Sequence, residues 1–281
     1  MKNRLFILLQ YALPQHLLSR FTAALARSGR PRWLKNWVIR RFVAHYGVDL
    51  AEAERPFAEA YPSFNAFFTR PLRDGVRPLC ASGIGSPADG VISECGEIDG
   101  KRLLQAKGRS YTLETLLAGD RQRAEQFENG SFATVYLSPR DYHRVHMPLD
   151  GQLQSSAYVP GELFSVNQVT AEGIDGLFAR NERFIAYFDT PRGPMAMVLV
   201  GAMIVAGIET VWSGQVAPLS RTVRRRDHVA APQPVLLTRG AEMGRFLLGS
   251  TVILLFPRGV AAWNPDCVAG APVRVGQQLS A

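Results

Sequence analysis

The sequence predicts an α+β protein, with an N-terminal region of basic amphipathic helices followed by a mainly antiparallel β body of sandwich- or barrel-like form. Charge is the first observation behind this. Residues 1–48 hold nine Lys/Arg and no acid, which leaves 23 basic against 24 acidic residues in the rest of the chain. The second is apolar residues recurring at helical spacing through that basic stretch. The third is a change of texture from about residue 84, where short β-branched runs alternate with Gly, Pro and Asp. There is no regular βαβ alternation and no internal repeat, so a doubly wound parallel sheet is disfavoured.

Taken in order, Leu5, Phe6, Leu8, Leu9 and Leu13 form an apolar cluster closed by Pro14. Leu17, Leu18, Phe21 and Leu25 follow at helical spacing, with Arg20 and Arg27 among them. Gly29-Arg30-Pro31 breaks the pattern. A third helix carries Trp33, Leu34, Trp37, Val38, Phe42 and Tyr46, interspersed with Lys35, Arg40 and Arg41. Such faces suit an anionic membrane surface better than nucleic acid. The alternative is that they pack on the protein's own core while the arginines are solvated. We place this region at residues 1–60 and the β body at 61–281. Strands are expected at 90–93, 133–137, 195–205, 209–212 and 252–256, with helical interruptions at 112–118 and 165–169. Arg224-Arg225-Arg226 reads as a solvated loop.

A chain of 281 residues with 47% hydrophobic and 20% charged residues can bury a substantial core, and wholesale disorder is excluded. The longest apolar run, Pro194 to Ile208, is short for a bilayer span. Gln10, Pro14, His16 and Arg20 interrupt what would otherwise be the apolar core of a signal peptide. Cys80, Cys95 and Cys267 show neither metal spacing nor an even disulfide framework, which fits a reducing compartment.

Three short segments could carry chemistry. His143 and His146 fall together in Asp141-Tyr142-His143-Arg144-Val145-His146, as bases, as metal ligands with Asp141 or Asp150, or as part of a hydrogen-bonded turn. Gly249-Ser250 precedes an apolar strand, and Asp89-Gly90 reads as a turn. Each alone is more often structural than catalytic.

Their combination, with six further segments in order, resembles the phosphatidylserine decarboxylase family over nearly the whole chain. The matching segments are Phe64 to Leu72, Pro87-Ala88-Asp89-Gly90, Lys107-Gly108 with Tyr111-Thr112-Leu113, the 141–146 run, Pro160 to Asn167, Asn181-Glu182-Arg183, Gly201-Ala202-Met203, Gly240 to Phe246, and Leu248-Gly249-Ser250-Thr251. The resemblance implies a proenzyme that cuts itself between Gly249 and Ser250 into chains 1–249 and 250–281. It implies Ser250 as nucleophile, His146 as base and Asp89 as the group orienting it. Ser250 would rearrange the peptide to an ester, and elimination and hydrolysis would then leave an N-terminal pyruvoyl group and ammonia. That group would form a Schiff base with phosphatidylserine and release carbon dioxide to give phosphatidylethanolamine, with no metal and no pyridoxal phosphate. His143 is expected to help hold the substrate. The implied partners are phosphatidylserine in an anionic membrane and the two cleavage chains as a non-covalent heterodimer, itself possibly paired as a dimer. The implied place is the cytoplasmic face of the cell membrane, held peripherally. Three rivals stay open: a pyruvoyl decarboxylase of soluble amino-acid derivatives, a serine hydrolase with an uncut chain, and a membrane-surface adaptor.

Overall fold

The computed structural model describes residues 2–203, 207–230, 232–248 and 250–281. Gly249 of the expected cleavage site, and the end of the strand expected at 195–205, lie outside the described residues.

The helical region follows its breakers. Helix α1 (Lys2–Ala12) stops before Pro14, α2 (Gln15–Arg27) stops before Gly29-Arg30-Pro31, and α3 (Arg32–Tyr46) runs to Gly47. Proline removes an amide donor and so ends the ladder. Gly47 takes φ +66°, the left-handed cap open to a residue without Cβ. A short α4 (Phe64–Phe68) is capped by the Ser63 hydroxyl, which accepts from Ala66 N at 3.1 Å.

The polarity of these helices runs against the usual rule. Gln10, Gln15, Ser19 and Lys35 are buried, while Leu17, Phe21, Trp33 and Trp37 are 55–70% exposed. The buried amides bind the β body: Gln15 Oε1 accepts from Leu163 N at 2.6 Å, and Gln10 Oε1 from Ser165 N at 3.0 Å. Lys35 donates to the Ala58 and Tyr61 carbonyls. One apolar cluster does face inward, where Ala26, Ile39, Phe67 and Phe68 meet Leu247 and Leu248.

Ten strands place the site: β1 (Gly90–Glu97), β2 (Ser131–Leu137), β3 (Arg144–His146), β4 (Gly151–Val159), β5 (Arg183–Thr190), β6 (Gly193–Gly201), β7 (Ile208–Thr210), β8 (Gly214–Ala217), β9 (Glu242–Phe246) and β10 (Ser250–Phe256). Among the described residues they build two open antiparallel sheets, and neither closes into a barrel. The large one has nine strands and runs Arg224–Asp227, β4, β5, β6, β10, β2, β1, Pro272–Val273, with Leu236–Leu237 also on β4. The small one runs β8, β7, β9, β3. Side chains from both sheets, among them Ile92, Leu137, Val252, Val145, Met243 and Phe246, share one core. The other face of the large sheet is covered by short helices, including Leu113–Leu116 and Gln168–Gly173. These two fall within or beside the helical interruptions expected at 112–118 and 165–169.

Arg224-Arg225-Arg226 is a correction. It forms a wholly exposed strand on the rim of the large sheet, paired with β4, rather than a loop. An edge strand has one unpaired side, and charges there are compatible with a ladder and discourage further pairing.

Strand β10 lies at the centre. All seven of its residues are buried, and it pairs with β2 on one side and β6 on the other. Ser250 opens the strand, opposite Leu137 and Gly201. The Asn181 amide, between α-helical and strand segments, ties the layers together by donating to Phe164 O at 2.8 Å and Gly201 O at 2.9 Å. The buried Arg183 next to it donates to the carbonyls of Leu116, Thr115, Ala179 and Asn181. This motif is an internal clamp.

Candidate active site

Ser250 is fully buried, and its Oγ has no hydrogen-bond partner among the described residues. A buried hydroxyl left unpaired costs about 1–3 kcal/mol, so its retention needs a reason other than stability. Two residues upstream, Leu248 takes φ +139°, a region that L-residues other than glycine rarely visit. Strain of this kind costs on the order of 1–3 kcal/mol and gathers at reactive sites.

Leu137, opposite Ser250, leads into a tight turn that positions the histidines. The Asp141 carboxylate accepts from Ser138 N at 2.7 Å and Ser138 Oγ at 2.6 Å, closing the turn. The Asp141 carbonyl then accepts from His143 Nδ1 at 2.8 Å. With Nδ1 as the donor, Nε2 carries the lone pair, and it is buried without a partner. The His143 ring is fully buried against Phe68, centroids 4.0 Å apart. Burial pushes its pKa down to about 3, which makes it a neutral imidazole and an acceptor at neutral pH.

His146 is engaged at both nitrogens. Nδ1 donates to Gly240 O at 2.7 Å, and Nε2 lies 3.0 Å from the Tyr142 hydroxyl. With Nδ1 as donor, Nε2 is the acceptor and the tyrosine donates. Burial lowers the His146 pKa, and the same burial raises that of Tyr142 to about 12.

Asp89 is buried too, held in place by Gly90. Gly90 takes φ +157°, and a Cβ there would come within 2.1 Å of Tyr136 O. Both Asp89 oxygens accept from Arg77 Nε at 3.0 Å, and Oδ1 also accepts from Val275 N at 2.8 Å. Arg77 reaches on to Glu52 at 2.6 Å, and that hydrogen bond lowers the Glu52 pKa.

The structure therefore brings the Asp89 turn and the His146 strand together at the backbone, where His146 N donates to Pro87 O at 2.8 Å. It does not join their side chains. Among the described residues, Asp89 is committed to Arg77 and Val275, and His146 to Tyr142 and Gly240. Arg77 and Tyr142 are the site residues that sequence reasoning gave no role, and Asp141, considered there only as a metal ligand, instead closes the turn that carries the histidines. Tyr142 had a signal in its position four residues before His146; Arg77 had none, because its contact with Asp89 crosses an irregular segment. Asp150 serves elsewhere, accepting from Arg239 N at 2.7 Å.

Two features flank this centre. A polar cavity of about 450 Å³ is lined by Glu52, Arg70, Arg77, Asp89, Asp141 and Tyr142. An apolar cleft of about 600 Å³ opens between α2 and α3 and is lined by Leu25, Leu34, Trp37, Phe42, Phe64 and Leu248. Leu248 thus connects the apolar cleft to the strand on which Ser250 stands.

Comparison with known proteins gives the family. A family described as "Phosphatidylserine decarboxylase" matches residues 64–281, and a second, described as "PSD", matches residues 5–47. The chain is 54% identical over 284 residues to a phosphatidylserine decarboxylase proenzyme of Alcanivorax borkumensis, covering 100% of this chain and 97% of that one. It is 55% identical to those of Pseudomonas fluorescens and Methylococcus capsulatus, covering 99% and 98% of this chain and 98% and 96% of theirs. The chain belongs to the phosphatidylserine decarboxylase family and is a decarboxylase, a carbon–carbon lyase.

Proposed function

We propose that this chain is a proenzyme that cuts itself at Gly249–Ser250 and then converts phosphatidylserine to phosphatidylethanolamine at a membrane surface. The observation that carries the reading is the Ser250 hydroxyl: buried, without a partner among the described residues, at the head of the central strand and two residues after a strained Leu248. Among the described residues nothing hydrogen-bonds that oxygen, which fits a group kept for chemistry.

In self-cleavage the Ser250 Oγ attacks the carbonyl carbon of residue 249, and a neutral imidazole takes its proton. His146 is the base in this reading. Its tautomer is fixed by the Gly240 carbonyl, so Nε2 is the lone-pair nitrogen, and transfer requires that Tyr142 release it. Asp89 then acts by fixing the turn beside the His146 strand. A pyruvoyl group at position 250 would supply a ketone that takes up the substrate amine and accepts the electrons left when carbon dioxide departs. His143, kept neutral by burial, would accept a proton or hold the substrate's ammonium.

Two further observations support the lipid substrate. The outward apolar faces of α2 and α3 lie beside a cleft that ends at Leu248, and basic residues such as Arg20 and Arg41 flank them. Such a surface suits peripheral docking on an anionic leaflet, on the cytoplasmic side in a cell. No helix among the described residues is long and apolar enough to cross a membrane. The two cleavage chains would stay together without a covalent link, because β10 is hydrogen-bonded on both edges.

Intact-mass analysis tests the reading. Wild type should give two species, 1–249 and a 250–281 chain lacking a free amine, while Ser250→Ala and His146→Ala stay at full length. His143→Ala should still cut but lose turnover. A single uncut wild-type species that decarboxylates the lipid overturns the proposal.

A further inference from the structure

The second chemistry in the molecule is sulfur. Cys95 stands in β1 and Cys267 in the C-terminal segment, 172 positions apart, yet the Cys95 sulfur touches the Cys267 carbonyl oxygen. Interaction between the two facing thiols raises the Cys95 pKa and lowers that of Cys267. Neighbouring contacts lock this approach from both sides. Trp263 Nε1 donates to Gly96 O at 3.1 Å, Gly270 N to Ile92 O at 2.8 Å, and Ile92 N to Ala271 O at 2.9 Å. The loop carrying Cys267 is thus laid along the strand carrying Cys95. Cys267 is buried and Cys95 half-buried, so only a small oxidant would reach the pair. The third cysteine, Cys80, has no sulfur neighbour among the contacts described.

We propose that Cys95 and Cys267 are a disulfide-forming pair that covalently joins the 1–249 and 250–281 chains, with a small hydroperoxide as the oxidant. The joining of two chains rests on the self-cleavage proposed above; the pairing of the sulfurs does not. The Cys267 thiolate attacks the distal peroxide oxygen, the O–O bond breaks, and Cys267 becomes a sulfenic acid while the other oxygen leaves as an alcohol or water. The Cys95 sulfur then attacks the Cys267 sulfur and expels water. The two sulfurs together lose two electrons to the peroxide, and both thiol protons end in the oxygen products. The bond would convert a concentration-dependent association of two chains into a single covalent unit. It would leave β10 and Ser250 where they are, because β2 separates the Cys95 strand β1 from β10 in the sheet.

The test uses purified full-length protein treated with stoichiometric hydrogen peroxide, alkylated, and examined by non-reducing denaturing electrophoresis and peptide mapping. The result expected is a fall in free thiols from three to one, a peptide pair linked through Cys95 and Cys267, and co-migration of the two chains until reductant is added. Cys95→Ser and Cys267→Ala should each abolish the linked pair while Cys80 stays alkylated in every sample. Full alkylation of Cys95 and Cys267 after peroxide, or a linkage through Cys80, overturns the pairing. A Cys95–Cys267 linkage inside one uncut chain would support the sulfur pair and overturn the joining of chains. Cut chains without the linkage would leave self-cleavage standing and remove this proposal.

Discussion

The β body and the helical region treat water in opposite ways. Around β10 the chain buries Val252, Ile253, Leu254 and Leu255 completely and keeps Arg224, Arg225 and Arg226 on the rim. In α2 and α3 it buries Gln15, Ser19 and Lys35 and turns Leu17, Phe21, Trp33 and Trp37 outward. A single solvent does not select both patterns. Under the membrane docking proposed above, the body is arranged for water outside, and the helices for a medium in which exposed leucine and tryptophan are stable and amides are best satisfied against protein.

That contrast can be attacked at four points. Leu254→Ala removes a fully buried side chain from the central strand and should cost about 2–5 kcal/mol in urea-monitored unfolding. A loss under 1 kcal/mol would mean the strand is less central than its burial indicates. Gln15→Leu makes the helix more apolar but strips Leu163 N of its acceptor, and should destabilise by about 1–3 kcal/mol. A neutral or stabilising result would show that the buried amides are dispensable.

The pH dependence of stability comes next. His143 has its folded pKa depressed by burial, so the unfolded chain binds the extra proton first as pH falls below about 6.5. Stability from this group is present above that pH and is lost on acidification, at about 1 kcal/mol per pH unit down toward its folded pKa. Urea midpoints between pH 7 and pH 5 should show a shallower slope in His143→Gln than in wild type; identical slopes would discard this account. The smallest effect on folding should come from Leu17→Ala, within about 0.5 kcal/mol. The same change should weaken binding to anionic vesicles by about tenfold, since burying a leucine is worth about 1.5–3 kcal/mol. A variant equal to wild type on vesicles would return the helices to an ordinary aqueous surface.

Much of this was legible in the chain itself. Pro14 and Gly29-Arg30-Pro31 mark the helix ends because their effect is local, and the β-branched runs at 133–137 and 252–256 mark two central strands. The resemblance carried the family and picked out Ser250. What sequence could not show is direction and partnership. Helical spacing gives Leu17, Phe21 and Leu25 a common face but does not say whether core or lipid lies opposite it. The tie between Asp89 and Arg77, and the register that sets Ser250 against Leu137 and Gly201, arise from long-range packing that leaves no periodic trace. The same holds for His143 and His146. They sit three residues apart in one run, yet the Asp141 carbonyl leaves His143 with one nitrogen unpartnered among the described residues, while Tyr142 and the distant Gly240 engage both nitrogens of His146.

If the chain cuts itself as proposed above, the central position of β10 has a consequence for when it can mature. The surroundings of Ser250 are assembled from β2, β6 and the Asp141 turn, which are remote in sequence and meet only in the finished fold. A nascent or misfolded precursor therefore has a serine but no reaction centre. Maturation would then serve as a proofreading step, releasing active enzyme only from molecules whose central sheet has formed correctly.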